Sequence, residues 1–142
     1  LNSCPRPDIL LVPGGIGTRR ELDNQRLIDW IKAVSEEAEL VLSVCTGALL
    51  LGKAGLLDNL EATTHHVAGD LLREIVPTCT VYENRRFVDN GRVVTSAGIA
   101  AGIDMSLHVI ERLCGHDIAA ATAHHMEYPI AGRNPDSEAA AD

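Results

Sequence analysis

Two short apolar runs, at residues 8–12 and 40–44, carry no polar alternation: Asp8-Ile9-Leu10-Leu11-Val12 and Leu40-Val41-Leu42-Ser43-Val44. A strand with one wet face alternates, whereas a strand without alternation is buried on both faces, as in a parallel sheet covered by helices. Between the runs, residues 24–37 read as a helix. Leu27, Ile28, Ile31 and Val34 share one face, and Asp29, Lys32, Glu36 and Glu37 lie mostly on the other. Strand, helix, strand in this order predicts a right-handed parallel crossover. The expectation is therefore an α/β fold with 8–12 and 40–44 as adjacent central strands.

The rest of the chain fills in around that unit. A small-residue helix is expected over 46–53, ended by Gly55. Short strands are expected at 61–64, 81–82, 86–89 and 92–96, with a helix over 68–75. Asp89-Asn90-Gly91 signals a hairpin, because a tight primed turn needs positive φ at its centre. A helix over 103–113 shows Ile103, Leu107, Ile110 and Cys114 at helical spacing and stops at Gly115. A last helix covers 117–126, and the Ala-rich tail, 131–142, is expected to be flexible. No repeat or linker divides the 142 residues, so one domain is expected. A central strand needs neighbours on both sides, yet the first run begins at residue 8. The shortage of parallel strands suggests that an N-terminal βαβ segment is missing or is supplied by another chain.

Composition narrows the function. The chain is 46% hydrophobic and carries a net charge of −8, which argues against a nucleic-acid surface. No apolar run approaches the ~20 residues of a membrane span. The four cysteines, Cys4, Cys45, Cys79 and Cys114, are scattered without a C-x-x-C. In a chain with an ample core they read as free thiols in a reducing compartment, hence a cytoplasmic protein.

Ser43-Val44-Cys45-Thr46-Gly47 has the logic of G-x-S-x-G, with cysteine as nucleophile and Ser43 in place of the first glycine. Small neighbours permit the crowded turn from strand to helix. The turn would present sulfur at the carboxyl edge of the sheet, where open α/β folds bind ligands. It would also set the sulfur at a helix N-terminus, which favours thiolate. An inert buried cysteine at a strand end is the competing reading. Pro13-Gly14-Gly15 leaves the neighbouring strand at the same edge, and its N–H groups with that of Thr46 suggest an oxyanion hole. Alone, Pro-Gly-Gly is a turn. His65, after Glu61-Ala62-Thr63-Thr64, is a candidate to orient or polarise groups near Cys45, or an ordinary surface histidine. His66 is expected to face elsewhere. His124-His125-Met126-Glu127 contains a tempting H-x-E, but it reads as a helix end. No spacing supplies convergent third and fourth zinc ligands, so neither a metal nor a cofactor is expected.

The pieces D-I-L-L-V-P-G-G, S-V-C-T-G-A, A-T-T-H, E-N-R, D-N-G-R-V-V-T-S-A-G and G-I-D-M-S-L-H-V-I-E, in this order from Asp8 to Tyr128, resemble the ThiJ/PfpI superfamily. The resemblance implies a flavodoxin-like, class I glutamine amidotransferase-like three-layer sandwich with a parallel sheet, and usually a homodimer. C-T-G-A with L-G-K-A-G-L-L, A-T-T-H and M-E-Y-P is similar to isonitrile hydratase-like members. The C-T-G and A-T-T-H stretches also occur in ligand domains of AraC-type regulators. Thr46 stands where PfpI-type proteases carry His, which counts against proteolysis. Motifs and resemblance together give Cys45, Thr46 and His65 as candidate catalytic residues and Gly14, Gly15 and Gly47 as candidate substrate-binding ones. The resemblance implies a carboxylate general acid upstream of Leu1. The implied activity is hydration of an isonitrile to an N-substituted formamide through a Cys45 thioimidate, a hydro-lyase reaction on a small molecule. The alternatives are a redox or ligand-sensing module, and glyoxalase- or deglycase-like chemistry on small aldehydes.

Overall fold

The computed structural model of the chain describes residue 1 and residues 3–129; the expected flexible tail lies outside them. β1 (Ile9–Val12) runs into a loop and a short helix, α1 (Thr18–Glu21), then α2 (Gln25–Glu37) and β2 (Leu40–Ser43). Asn24 caps α2 by accepting the Leu27 N–H at 3.2 Å. α3 (Gly47–Lys53) follows the elbow, then β3 (Glu61–Ala62), a 3₁₀ turn (His66–Ala68), α4 (Gly69–Ile75) and β4 (Thr80–Val81). β5 (Phe87–Asp89), β6 (Val93–Ser96), α5 (Ala101–Cys114) and α6 (His116–His125) complete the order.

β1, β2, β6 and β5 form one sheet in that spatial order, with β1–β2 and β2–β6 parallel and β5–β6 antiparallel. The crossover through α2 is parallel as expected. The sheet is mixed, however, because the hairpin after Asp89 returns β6 alongside β5. Only Gly91 at that turn has positive φ, at 89°; Asn90 does not. The Asp89 carboxylate accepts the Gly91 N–H at 2.6 Å, and Asn90 N–H donates to Val93 O at 2.9 Å, so a side-chain bond replaces the primed turn.

The sheet separates two apolar layers. Leu10, Val12, Val41 and Val93 pack with α2, α3 and α4, while Leu40, Leu42 and Val94 pack with Met105 and Val109 of α5. β1 is adjacent to β2 as expected but stands at the sheet edge rather than at its centre. Its second face, Ile9 and Leu11, is 41% and 44% exposed.

α5 departs from the expected face. Ala101, Gly102, Asp104, Met105 and Val109 are buried, whereas Ile103, Leu107 and Ile110 are half-buried and Cys114 is exposed. The misread residue is Asp104, whose charge hid the inward face. Arg86 pairs with it, and Tyr128 Oη donates to it at 3.1 Å. A buried carboxylate is tolerable when paired in this way.

Candidate active site

Cys45 has φ 58°, in the left-handed region that non-glycine residues seldom enter. The strain is held from several sides. The Cys45 N–H is shared between Ser96 O at 3.2 Å and Ala97 O at 3.1 Å, and its carbonyl accepts Thr64 Oγ1–H at 2.9 Å. Thr46 occupies the N-cap position of α3 without a side-chain capping bond and is buried. Steric closeness explains the small neighbours. A Cβ on Gly47 would sit 2.2 Å from Val12 O, and one on Gly14 would sit 2.6 Å from both Thr46 N and Thr46 Oγ1. Gly102 leaves room for Val44, where a Cβ would meet Val44 Cγ1 at 2.9 Å.

Gly14, Gly15, Cys45, Thr46 and His65 line one cavity of about 430 Å³. Gly47 does not line it; it lies behind the elbow, against the β1 backbone. The Gly15 N–H is not directed at a ligand, because it donates to Thr46 Oγ1 at 3.0 Å. The expected pair of backbone donors is therefore reduced to groups on Gly14 and Thr46. The Thr46 hydroxyl also lies 2.9 Å from Thr18 Oγ1, which is buried. Thr18 thus fixes both the Thr46 side chain and the loop that overhangs it. Sequence reasoning missed Thr18, since a Thr three residues beyond a Gly-rich loop carries no local signal.

His65 is half-buried. Its Nδ1 accepts the Val67 N–H at 3.3 Å, which leaves the proton of the neutral ring on Nε2. Its edge packs on Gly98, where a Cβ would meet His65 Cδ2 at 2.6 Å. His66 is exposed and its ring lies against that of His65, with centroids 4.3 Å apart. His124 and His125 are exposed at the end of α6 and take no part in the cavity. Among the described residues no group of three or more His, Cys, Asp or Glu could hold a metal ion. No helix of the described residues is long and apolar enough to cross a membrane.

The remaining wall is apolar apart from Arg19: Pro13, Ile16, Val44, Val67 and Ile99. Ile99 is a β-branched residue at φ 39° and is 82% exposed. The other thiols differ from Cys45: Cys4 and Cys114 are exposed, and Cys79 is buried, with burial pushing its thiol up.

The chain has known relatives. The chain is 38% identical over 139 residues to isonitrile hydratase of Pseudomonas putida, covering 94% of this chain and 59% of that protein. It is 29% identical over 127 residues to the HTH-type transcriptional regulator GbdR of Pseudomonas aeruginosa, covering 89% of this chain and 34% of the regulator. The crystal structure of a ThiJ/PfpI family protein from Pseudomonas syringae superposes with a TM-score of 0.83 at 31% identity, covering 89% of this chain and 52% of that one. The chain thus spans between about a third and three fifths of the length of these relatives. Residues 3–112 match the family model itself, and the chain belongs to the DJ-1/PfpI family.

Proposed function

We propose that the chain is a cysteine-dependent enzyme that hydrates an isonitrile to an N-substituted formamide. The observation that carries the reading is Cys45 at φ 58° on the wall of a largely apolar cavity. An isonitrile is neutral, so an apolar wall does not oppose its entry. Likeness to a hydratase supports the same chemistry.

The Cys45 sulfur adds to the terminal carbon of R–N≡C while a proton is delivered to that carbon. The product is the thioimidate R–N=CH–S–Cys45. Water then adds to the same carbon, the C–S bond breaks, and the nitrogen takes a proton to give R–NH–CHO and the free thiol. Water is the sole co-reactant and no redox change occurs. The proton that reaches the carbon is the one the Cys45 thiol gives up, so the addition balances; among the described residues no carboxylate lines the cavity, and His65 lines it with Nε2–H as a hydrogen-bond donor for the thioimidate nitrogen. The Thr46 hydroxyl, fixed by Gly15 and Thr18, orients the attacking water. Glyoxalase- or deglycase-like chemistry on small aldehydes is the alternative enzymatic reading, and likeness to a hydratase favours the isonitrile. We propose further that the protein works as a cytoplasmic homodimer. The exposed Ile9 and Leu11 on the β1 edge support self-association.

Likeness to a regulator favours a second reading, a module that senses ligands or oxidants through Cys45. Incubation with cyclohexyl isonitrile, read by NMR for the formamide, separates the two. Multiple turnovers that vanish in Cys45→Ala support the enzyme. No turnover, with stoichiometric oxidation of Cys45 by dilute peroxide, supports the sensor and sinks the hydratase.

A further inference from the structure

We infer that Arg19 makes the Cys45 cavity selective for electrophiles that carry a carboxylate on an apolar body. The inference rests on the hydratase reading for its isonitrile substrate, but not for the anion selectivity itself. Arg19, an exposed residue, lines the cavity, and among the described residues it is the permanently charged side chain that does so. Among the described residues it has no carboxylate partner, whereas Arg20, next to it, pairs with Glu21 at 3.4 Å. An unpaired guanidinium presents a planar fork of donors that matches a carboxylate at two points. On a chain of net charge −8, anions are repelled in general, so a local cation at the cavity is what would admit one.

The backbone of Arg19 is placed by the elbow itself. Thr18, its immediate neighbour, is buried against Thr46 with the hydroxyls 2.9 Å apart. The Arg20 and Glu21 N–H groups close α1 on Gly17 O, both at 3.1 Å. The bond that positions Thr46 beside Cys45 thus also anchors the residue before Arg19.

The rim defines the rest of the ligand. Ile16 is fully exposed, Ile99 82% and Val67 60% exposed, and all three line the same cavity. Three water-exposed aliphatic side chains around one mouth call for an apolar ligand body. A cavity of about 430 Å³ has room for a small molecule. A neutral electrophilic head at Cys45, an aliphatic body at the rim and a carboxylate on Arg19 describe an isocyano carboxylate with an apolar side chain.

The test uses two nearly isosteric alkylating reagents, iodoacetate and iodoacetamide, with labelling followed at each cysteine by peptide mass spectrometry. The iodoacetate-to-iodoacetamide rate ratio at Cys45 should fall at least tenfold in Arg19→Gln and further in Arg19→Glu, with partial retention in Arg19→Lys. The ratio at exposed Cys4 and Cys114 serves as the internal control and should not change. Added salt should lower the wild-type ratio at Cys45. A second arm compares kcat/KM for 2-isocyano-4-methylpentanoate and its methyl ester, where Arg19→Gln should shift the ratio toward the ester by a similar factor. Loss of turnover on both isonitriles in the wild type, with the alkylation ratio behaving as stated, removes the hydratase and leaves the anion selectivity. An alkylation ratio at Cys45 that stays within twofold in Arg19→Gln overturns the inference, whatever the turnover.

Discussion

Gly47→Ala probes the packing that makes the elbow possible. The new Cβ would stand 2.2 Å from Val12 O, and that backbone oxygen must retreat by about 1.2 Å to reach an ordinary contact of 3.4 Å. Val12 O accepts the Val44 N–H at 3.2 Å, and Val12 pairs with Ser43, so the retreat loosens β1 where it meets the elbow. Overpacking of this kind costs about 1–3 kcal/mol, and a weakened buried hydrogen bond adds roughly 1 kcal/mol. Alanine in place of glycine at the first turn of α3 returns up to about 1 kcal/mol. The net expectation is a loss of about 2 kcal/mol, read as a lower urea midpoint at unchanged m. Gly17→Ala is the paired control. Gly17 has φ −71° and ψ −17°, and its Cβ would meet nothing nearer than Arg20 Nη2 at 3.9 Å. That change should stabilise by about 0.4–1 kcal/mol. A Gly47→Ala protein with the wild-type midpoint would refute the close approach of α3 to β1 as the reason for glycine.

Ser43→Ala should be neutral or stabilise by up to about 1 kcal/mol, because Ser43 Oγ is buried without a partner among the described residues; a clear loss of midpoint would count against that. Ile99→Gly should be more stable than Ile99→Ala by about 1 kcal/mol, since φ 39° strains any side chain and Ile99 buries little; equal midpoints would remove the strain. Burial pushes the Asp89 carboxyl up, but hydrogen bonds from His108 at 2.6 Å and the Gly91 N–H, together with the Arg112 cation, outweigh it and hold the carboxyl below its ordinary value. A depressed folded-state value means a stabilisation that is complete above the ordinary carboxylate range and is lost as pH falls through the lower folded value. Urea midpoints below pH 4 should therefore fall more gently in Asp89→Asn than in the wild type, and parallel curves would contradict the pairing.

Signals local in the sequence translated well into structure. The unalternating runs gave β1 and β2 in parallel register, Asn24 and Gly115 bounded helices, and the small residues around Cys45 announced the turn that its φ of 58° records. What depended on distant partners did not translate. α1 has four residues and no periodicity; Thr18 reaches across to Thr46, and that contact exists only once the chain has folded. The inward face of α5 includes Asp104, whose neutralising partners Arg86 and Tyr128 come from elsewhere in the chain. His65 could be named as a candidate, but nothing near it in sequence announces the bare Gly98 backbone that seats its ring.

The central claim is that the elbow makes Cys45 the reactive thiol, and competition among the four cysteines tests it most directly. Iodoacetamide at one tenth of the protein concentration near neutral pH, followed by peptide mass spectrometry, reads the order of labelling. Cys79 is disfavoured by burial, but Cys4 and Cys114 are exposed and meet reagent more freely than half-buried Cys45. The account predicts that Cys45 is labelled first in spite of that disadvantage. Labelling that begins at Cys4 or Cys114 would contradict it and leave the strained backbone at Cys45 without a chemical role.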